Sequence, residues 1–115
     1  MTVFSAEQVL EKIVEFSQAK KARDIVSLKL SGLTLIADYF LIMTAGNSRQ
    51  AQALSDHIYE EMKNLDCQAL RVEGYQEGQW ILLDYGTVVV HIFQEEERAF
   101  YDLERLWGDA EREMY

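Results

Sequence analysis

The spacing of apolar residues changes several times along the chain, and each change marks an element. Ser5-Ala6-Glu7-Gln8 has the form of a capping box, in which the Ser5 hydroxyl accepts from the Gln8 amide and the Gln8 side chain reaches back. Val9, Leu10, Ile13, Val14 and Phe16 follow at helical spacing, which predicts a first helix running to about Lys20. Asp24 to Leu30 is short, apolar and β-branched, the mark of a strand, and Ser31-Gly32 breaks it. Asp38 to Thr44 carries Tyr39, Phe40, Leu41, Ile42 and Met43 without alternation, as suits a strand near the middle of a sheet. Ala45-Gly46-Asn47-Ser48 reads as a turn into a second helix, capped by Ser48, with Ala51, Leu54, Ile58 and Met62 on one stripe.

Leu70 and Val72 mark a third strand and Gly74 to Gly78 a loop. Trp80 to Tyr85 and Val88 to Phe93 form a hairpin turning on Tyr85-Gly86. A last helix starts near Glu95, with acids in its first turn, and carries Ala99, Phe100, Leu103, Leu106 and Trp107. The predicted order is α-β-β-α-β-β-β-α, an α/β fold with a mixed β-sheet and flanking helices. At 115 residues without proline, repeat or linker, the whole of 1–115 reads as a single domain.

The hairpin register sharpens this picture. With Tyr85 and Gly86 as the loop, Asp84 stands opposite Thr87, Leu82 opposite Val89 and Trp80 opposite His91. Alternation then puts Ile81, Leu83, Val88, Val90 and Ile92 on one wholly apolar face, the core side. The other face holds Trp80, Leu82, Asp84, Thr87, Val89, His91 and Phe93, too apolar for solvent and too polar for a core. Two readings stay open. A helix of the same chain covers this face, or the face docks a partner, for which aromatic residues are the usual anchors.

Charge separates the two parts of the chain. The formal net charge is −9. Up to Asn64 there are seven bases against eight acids, and from Leu65 onward four against twelve. The second part would steer a cationic partner, or would simply keep the chain in solution. So acidic a chain is a poor match for the phosphate backbone, so direct, specific nucleic-acid binding is not expected. The apolar stretch Leu33 to Met43 is interrupted by Asp38 and falls well short of the roughly 18 residues of a membrane span, and Met1-Thr2-Val3-Phe4 has no signal-peptide pattern. Cys67, the only cysteine, suits a reducing, cytoplasmic compartment.

No constellation for catalysis stands out. His57, His91 and Cys67 fall on separate elements, without the spacing of a metal site, and Ser48 is more economically a helix cap than a nucleophile. A strand leading through Gly46-Asn47-Ser48 into a helix is the layout with which nucleotidyltransferases hold a triphosphate. Those enzymes also need paired acids on a strand to hold metal ions. The only such spacings, Glu95-Glu96-Glu97 and Glu111-Arg112-Glu113, fall in the region read as C-terminal helix.

Four blocks then stand in order: Ala37 to Gln50 (ADYFLIMTAGNSRQ), Val72-Glu73-Gly74, Trp80 to His91 (WILLDYGTVVVH) and Phe100 to Trp107 (FYDLERLW). Together they resemble the ribosomal silencing factor family, also called Iojap-related proteins, over about the whole chain. The resemblance implies a nucleotidyltransferase-like α/β fold without catalysis, cofactor or metal. It implies binding to ribosomal protein L-fourteen on the large ribosomal subunit, at the face where the small subunit docks, so that translation is repressed when nutrients are short. Organelle relatives act in large-subunit assembly, and a role chiefly in biogenesis is an alternative, as is a residual nucleotide-binding enzyme. A homodimer through the same patch is also left open. Carried onto this sequence, Trp80 and Leu82 are apolar anchors, and Asp84 and Glu73 are partners for Lys or Arg. Tyr85 at the hairpin tip and His91 beside Trp80 are secondary candidates. Arg98, Tyr101, Asp102 and Glu104 either extend the patch or form a solvated helix face. The competing roles are a core lid for Trp80 and a turn brace for Asp84.

Overall fold

The computed structural model describes residues 3–115; Met1 and Thr2, at the start that shows no signal-peptide pattern, lie outside the described residues. The first helix, α1 (Ala6–Ala19), opens as its sequence dictates: Gln8 N–H donates to the Ser5 hydroxyl at 3.1 Å, and Ser5 N–H to the Gln8 side chain at 2.9 Å. Then follow β1 (Arg23–Lys29), β2 (Tyr39–Ala45), α2 (Ser48–Asn64), β3 (Arg71–Glu73), β4 (Trp80–Asp84) and β5 (Val88–Gln94). The C-terminal region holds α3 (Glu95–Tyr101), α4 (Leu103–Leu106) and β6 (Glu111–Met114).

Among the described residues, six strands form one mixed sheet in the order β3-β4-β5-β2-β1-β6. β2 and β5 run parallel and every other neighbouring pair antiparallel. β2 lies in the interior, as its unbroken apolar run predicts, and all seven of its residues are buried. Helices α1 and α2 pack on one face of the sheet, burying Ile13, Leu54, Ile58 and Met62 against Leu41, Met43, Ile81, Leu83, Val90 and Ile92. The opposite face carries a second cluster of Val26, Leu28, Phe40, Ile42, Val89 and Phe93, partly covered by Leu103, Trp107 and Ala110 from the C-terminal region.

Four expectations need correction. The hairpin pairs Asp84 with Val89, Leu82 with His91 and Trp80 with Phe93, two residues from the expected register. Tyr85 N–H donates to the Val88 carbonyl at 2.9 Å, so the bend is Gly86-Thr87 rather than Tyr85-Gly86. Gly86 takes φ +82°, and its N–H donates to the Asp84 carboxylate at 2.8 Å. Because the slip is even, every side chain keeps the face that alternation assigned to it. The cap of α2 is Asn47, whose side chain accepts from Gln50 N–H at 2.8 Å, while the Ser48 hydroxyl donates to the Glu77 carbonyl.

The expected last helix is two short ones. Asp102 adopts the left-handed conformation at φ +46° and breaks it, turning Leu103 and Trp107 onto the sheet and leaving Phe100 and Leu106 exposed. Finally, Glu111-Arg112-Glu113 is strand, not helix. β6 pairs with β1 at the sheet edge, its four residues all exposed.

Candidate functional site

Strand pairing aligns the candidate residues in rows across the sheet face opposite α1 and α2. One row runs Arg71, Asp84, Val89, Phe40, Leu28, Arg112, and the next Glu73, Leu82, His91, Ile42, Val26, Met114. Trp80 and Phe93 lead the third. Trp80, Leu82, Asp84 and His91 therefore share one face, as alternation assigned them, and pairing with Leu82 brings Glu73 onto it. Tyr85 does not. Odd-numbered residues of β4 face the helices, and Tyr85 continues them into the main core. Its hydroxyl is buried without a partner among the described residues, and burial pushes its phenol far up from the ordinary value.

The face is divided in depth. At its centre Val89, His91 and Phe93 are buried beneath the aromatic and C-terminal residues, so the covering helix foreseen as one reading exists there. At its β3–β4 margin Trp80, Leu82 and Asp84 are half-buried, while Arg71, Val72 and Glu73 are exposed. Trp80 is thus neither a sealed lid nor a free side chain. Its indole packs on Phe93, with ring centres 5.0 Å apart, and on Tyr101 at 4.6 Å. Phe100 meets Tyr101 edge-on at 5.1 Å and is itself exposed, extending the aromatic surface outward from Trp80.

His91 is 3 % exposed and is no contact residue on an open surface, which corrects its reading as a docking side chain. The Trp80 indole N–H donates to His91 Nδ1 at 3.1 Å. An indole nitrogen only donates, so Nδ1 is unprotonated and the proton of the neutral ring sits on Nε2. That nitrogen is buried and finds no partner among the described residues, an arrangement that costs on the order of 1–3 kcal/mol. Burial lowers the His91 pKa to about 4, so the ring is neutral at physiological pH.

The acids at the margin already have a cation. Arg71 contacts Glu73 at 2.7 Å and Asp84 at 3.1 Å, and Asp84 also braces the Gly86 turn. Sequence reasoning passed over Arg71; the alternation of Arg71 and Glu73 on a strand beside Asp84 was the available signal. Arg98 and Glu104 are corrected in the same way. The Arg98 guanidinium donates to Glu104 at 3.1 Å, to the Asp24 carbonyl at 2.6 Å and to the Thr44 hydroxyl at 2.8 Å, which ties α3 to the sheet instead of presenting a charge. Tyr101 packs against Trp80, and Asp102 makes the helix break that follows it.

The turn before α2 is enclosed by the chain's own groups. Gly46 N–H donates to the Gln50 side chain, and the Ser48 hydroxyl is held between the Glu77 carbonyl and the Gln94 amide. The Gly74–Gly78 loop packs so closely that a Cβ at Gly78 would lie 2.8 Å from that of Ser48. Glu111 and Glu113 do lie on a strand, but level with Tyr39 and Leu41, at the other end of β2 from this turn. Among the described residues no group of three or more His, Cys, Asp and Glu converges as a metal site.

A family model described as "Ribosomal silencing factor during starvation" matches residues 3–114. The chain belongs to the ribosomal silencing factor family. Ribosomal silencing factor RsfS of Halalkalibacterium halodurans is 41 % identical over 92 % of this chain and 91 % of its own length. A crystal structure of a Chromobacterium violaceum protein superposes with a TM-score of 0.89 at 30 % identity, covering 91 % of this chain and 88 % of that one. A mouse protein named for mitochondrial assembly of the ribosomal large subunit is 28 % identical over 85 % of this chain and 44 % of its own. Membership gives this ribosomal silencing factor a regulatory role in translation. No helix among the described residues is long and apolar enough to cross a membrane.

Proposed function

We propose that this silencing factor docks the β3–β4 margin of its sheet on ribosomal protein L-fourteen of the large ribosomal subunit and thereby obstructs the small subunit. The observation that carries this reading is the half-buried Trp80 and Leu82 at an open sheet margin, continuous with exposed Tyr101 and Phe100 and bordered by Glu73 and Asp84. An aromatic anchor inside a charged rim is the anatomy of a protein-binding hot spot. The acids of the second part of the chain suit a basic ribosomal protein and disfavour bare RNA. A steric block requires no turnover, and the site of action is the cytoplasm, where ribosomal subunits meet.

Arg71 qualifies the electrostatics. An incoming Lys or Arg must share or displace it at Asp84 and Glu73, so apolar contact at Trp80 and Leu82 supplies most of the affinity. The nucleotide-binding alternative is less well supported, because the turn before α2 spends its polar groups on Gln50, Gln94 and Glu77. The same face would serve large-subunit assembly, the task named for the mouse relative. The test is a subunit-joining assay followed by light scattering. Protein added to large subunits before small ones should lower joining, and Trp80→Ala should restore it; joining that proceeds undiminished with the wild type contradicts the proposal.

A further inference from the structure

The geometry points to His91 as the positioning residue of the docking face: through its unprotonated Nδ1 it takes the Trp80 indole N–H inward, fixing the ring so that an apolar surface meets the partner. This rests on the docking reading above, and adds to it a residue that acts without touching the partner.

The hydrogen bond joins adjacent strands: His91 lies directly opposite Leu82 on β5, and Trp80 precedes Leu82 by two residues on the same face. A tryptophan at a margin has one polar atom, and unless that atom is satisfied it seeks water or a partner group. Here it is satisfied from beneath. His91 is itself immobilised by Phe40, whose ring centre is 4.5 Å away, and lies parallel to Phe93 at 6.1 Å. Only one nitrogen of the buried ring is used, since Nε2 has no partner among the described residues. Packing does not demand an imidazole here. Phenylalanine would fill this aromatic cluster without stranding a polar nitrogen, so the feature the histidine adds is the acceptor at Nδ1. The tautomer matters equally. A proton on Nδ1 would face the indole N–H and turn the bond into a donor–donor contact, so the ring must stay neutral with its proton on Nε2.

The test uses the full chain labelled with ¹⁵N, with Trp107→Phe to assign the indole signals. In the free wild type, long-range ¹H–¹⁵N spectra at pH 7 should show the Nε2–H tautomer of His91, and the Trp80 indole proton should be protected from exchange. In His91→Phe that protection should fall at least tenfold. Co-sedimentation with isolated large subunits should show affinity reduced by up to about tenfold for His91→Phe. The loss should be partly rescued in His91→Gln, whose carbonyl can accept, and should vanish when His91→Phe is made in a Trp80→Phe background that has no indole N–H to hold. An Nδ1–H tautomer, an indole proton equally protected in His91→Phe, or a binding loss that persists in the Trp80→Phe background overturns the inference. If His91→Phe fails to fold, the tautomer and indole protection of the wild type decide the matter. If Trp80→Ala binds large subunits as the wild type does, the docking reading falls, and the spectra of the free protein still decide whether His91 holds the indole.

Discussion

Acid should destabilise this protein in a way traceable to one side chain. His91 is buried among Phe40, Trp80 and Phe93, and that burial lowers its pKa from 6.5 to about 4. In the unfolded chain the ring takes its proton near the ordinary value, whereas the folded protein refuses it until about pH 4. The unfolded state thus binds more protons between these values, so the stability this group contributes is complete above pH 6.5 and lost as pH falls toward 4. At about 1.4 kcal/mol per pKa unit, the whole window is worth about 3 kcal/mol, and the step from pH 7.5 to pH 5 about 2 kcal/mol. Against a total stability of about 5–15 kcal/mol this is easily measured. Urea unfolding followed by tryptophan fluorescence at the two pH values gives the wild-type loss. The same pair of titrations on His91→Phe subtracts every other titrating group. The variant should lose about 2 kcal/mol less than the wild type over that step. Parallel losses in both proteins would refute the claim that His91 is buried and neutral.

Three further outcomes follow from the margin. Arg71→Ala should leave stability nearly unchanged, since exposed ion pairs contribute about 0–1 kcal/mol, yet should raise affinity for large subunits a few-fold at low salt by freeing Glu73 and Asp84; weaker binding would show that Arg71 itself contacts the partner. Asp84→Lys should weaken association several-fold at low salt and progressively less at high salt, and an effect independent of ionic strength would contradict the electrostatic part of the account. Gly74 sits at φ +78°, where an added Cβ would lie 2.0 Å from the Trp80 carbonyl oxygen. Gly74→Ala should therefore cost about 3 kcal/mol in urea unfolding through combined backbone strain and overlap, and a neutral effect would refute that close approach.

How much of this was legible in the sequence follows from which interactions are local. The capping box at Ser5, the buried run from Tyr39 to Met43 and the alternation from Trp80 to Phe93 depend on neighbours in the chain, and each appears where the pattern puts it. Faces survived even the wrong register, because a slip of two residues preserves alternation. Tertiary partners decided the rest. Glu111 to Met114 has no apolar alternation, and it is strand only because β1 offers an open edge. The break at Asp102 is hidden in a sequence that reads as continuous helix, because nothing local announces a left-handed aspartate held by the docking of Leu103 and Trp107. Trp80, Leu82 and Asp84 could be placed on one face, but the position of Glu73 beside Leu82, the burial of His91 and Tyr85 and the pairing of Arg71 arise from elements distant in sequence. One face proved to be core at its centre and surface at its margin. No one-dimensional pattern distinguishes those two.

The most direct measurement of the central claim is co-sedimentation of the full chain with isolated large subunits, isolated small subunits and preassembled ribosomes, run beside Trp80→Ala. The account predicts that the wild type pellets with large subunits alone, and that Trp80→Ala, which still unfolds cooperatively but at a lower midpoint because His91 loses its partner, stays in the supernatant after losing about 2–4 kcal/mol of binding. Pelleting of Trp80→Ala to the wild-type extent, or wild-type binding to assembled ribosomes as strong as to free large subunits, would contradict it.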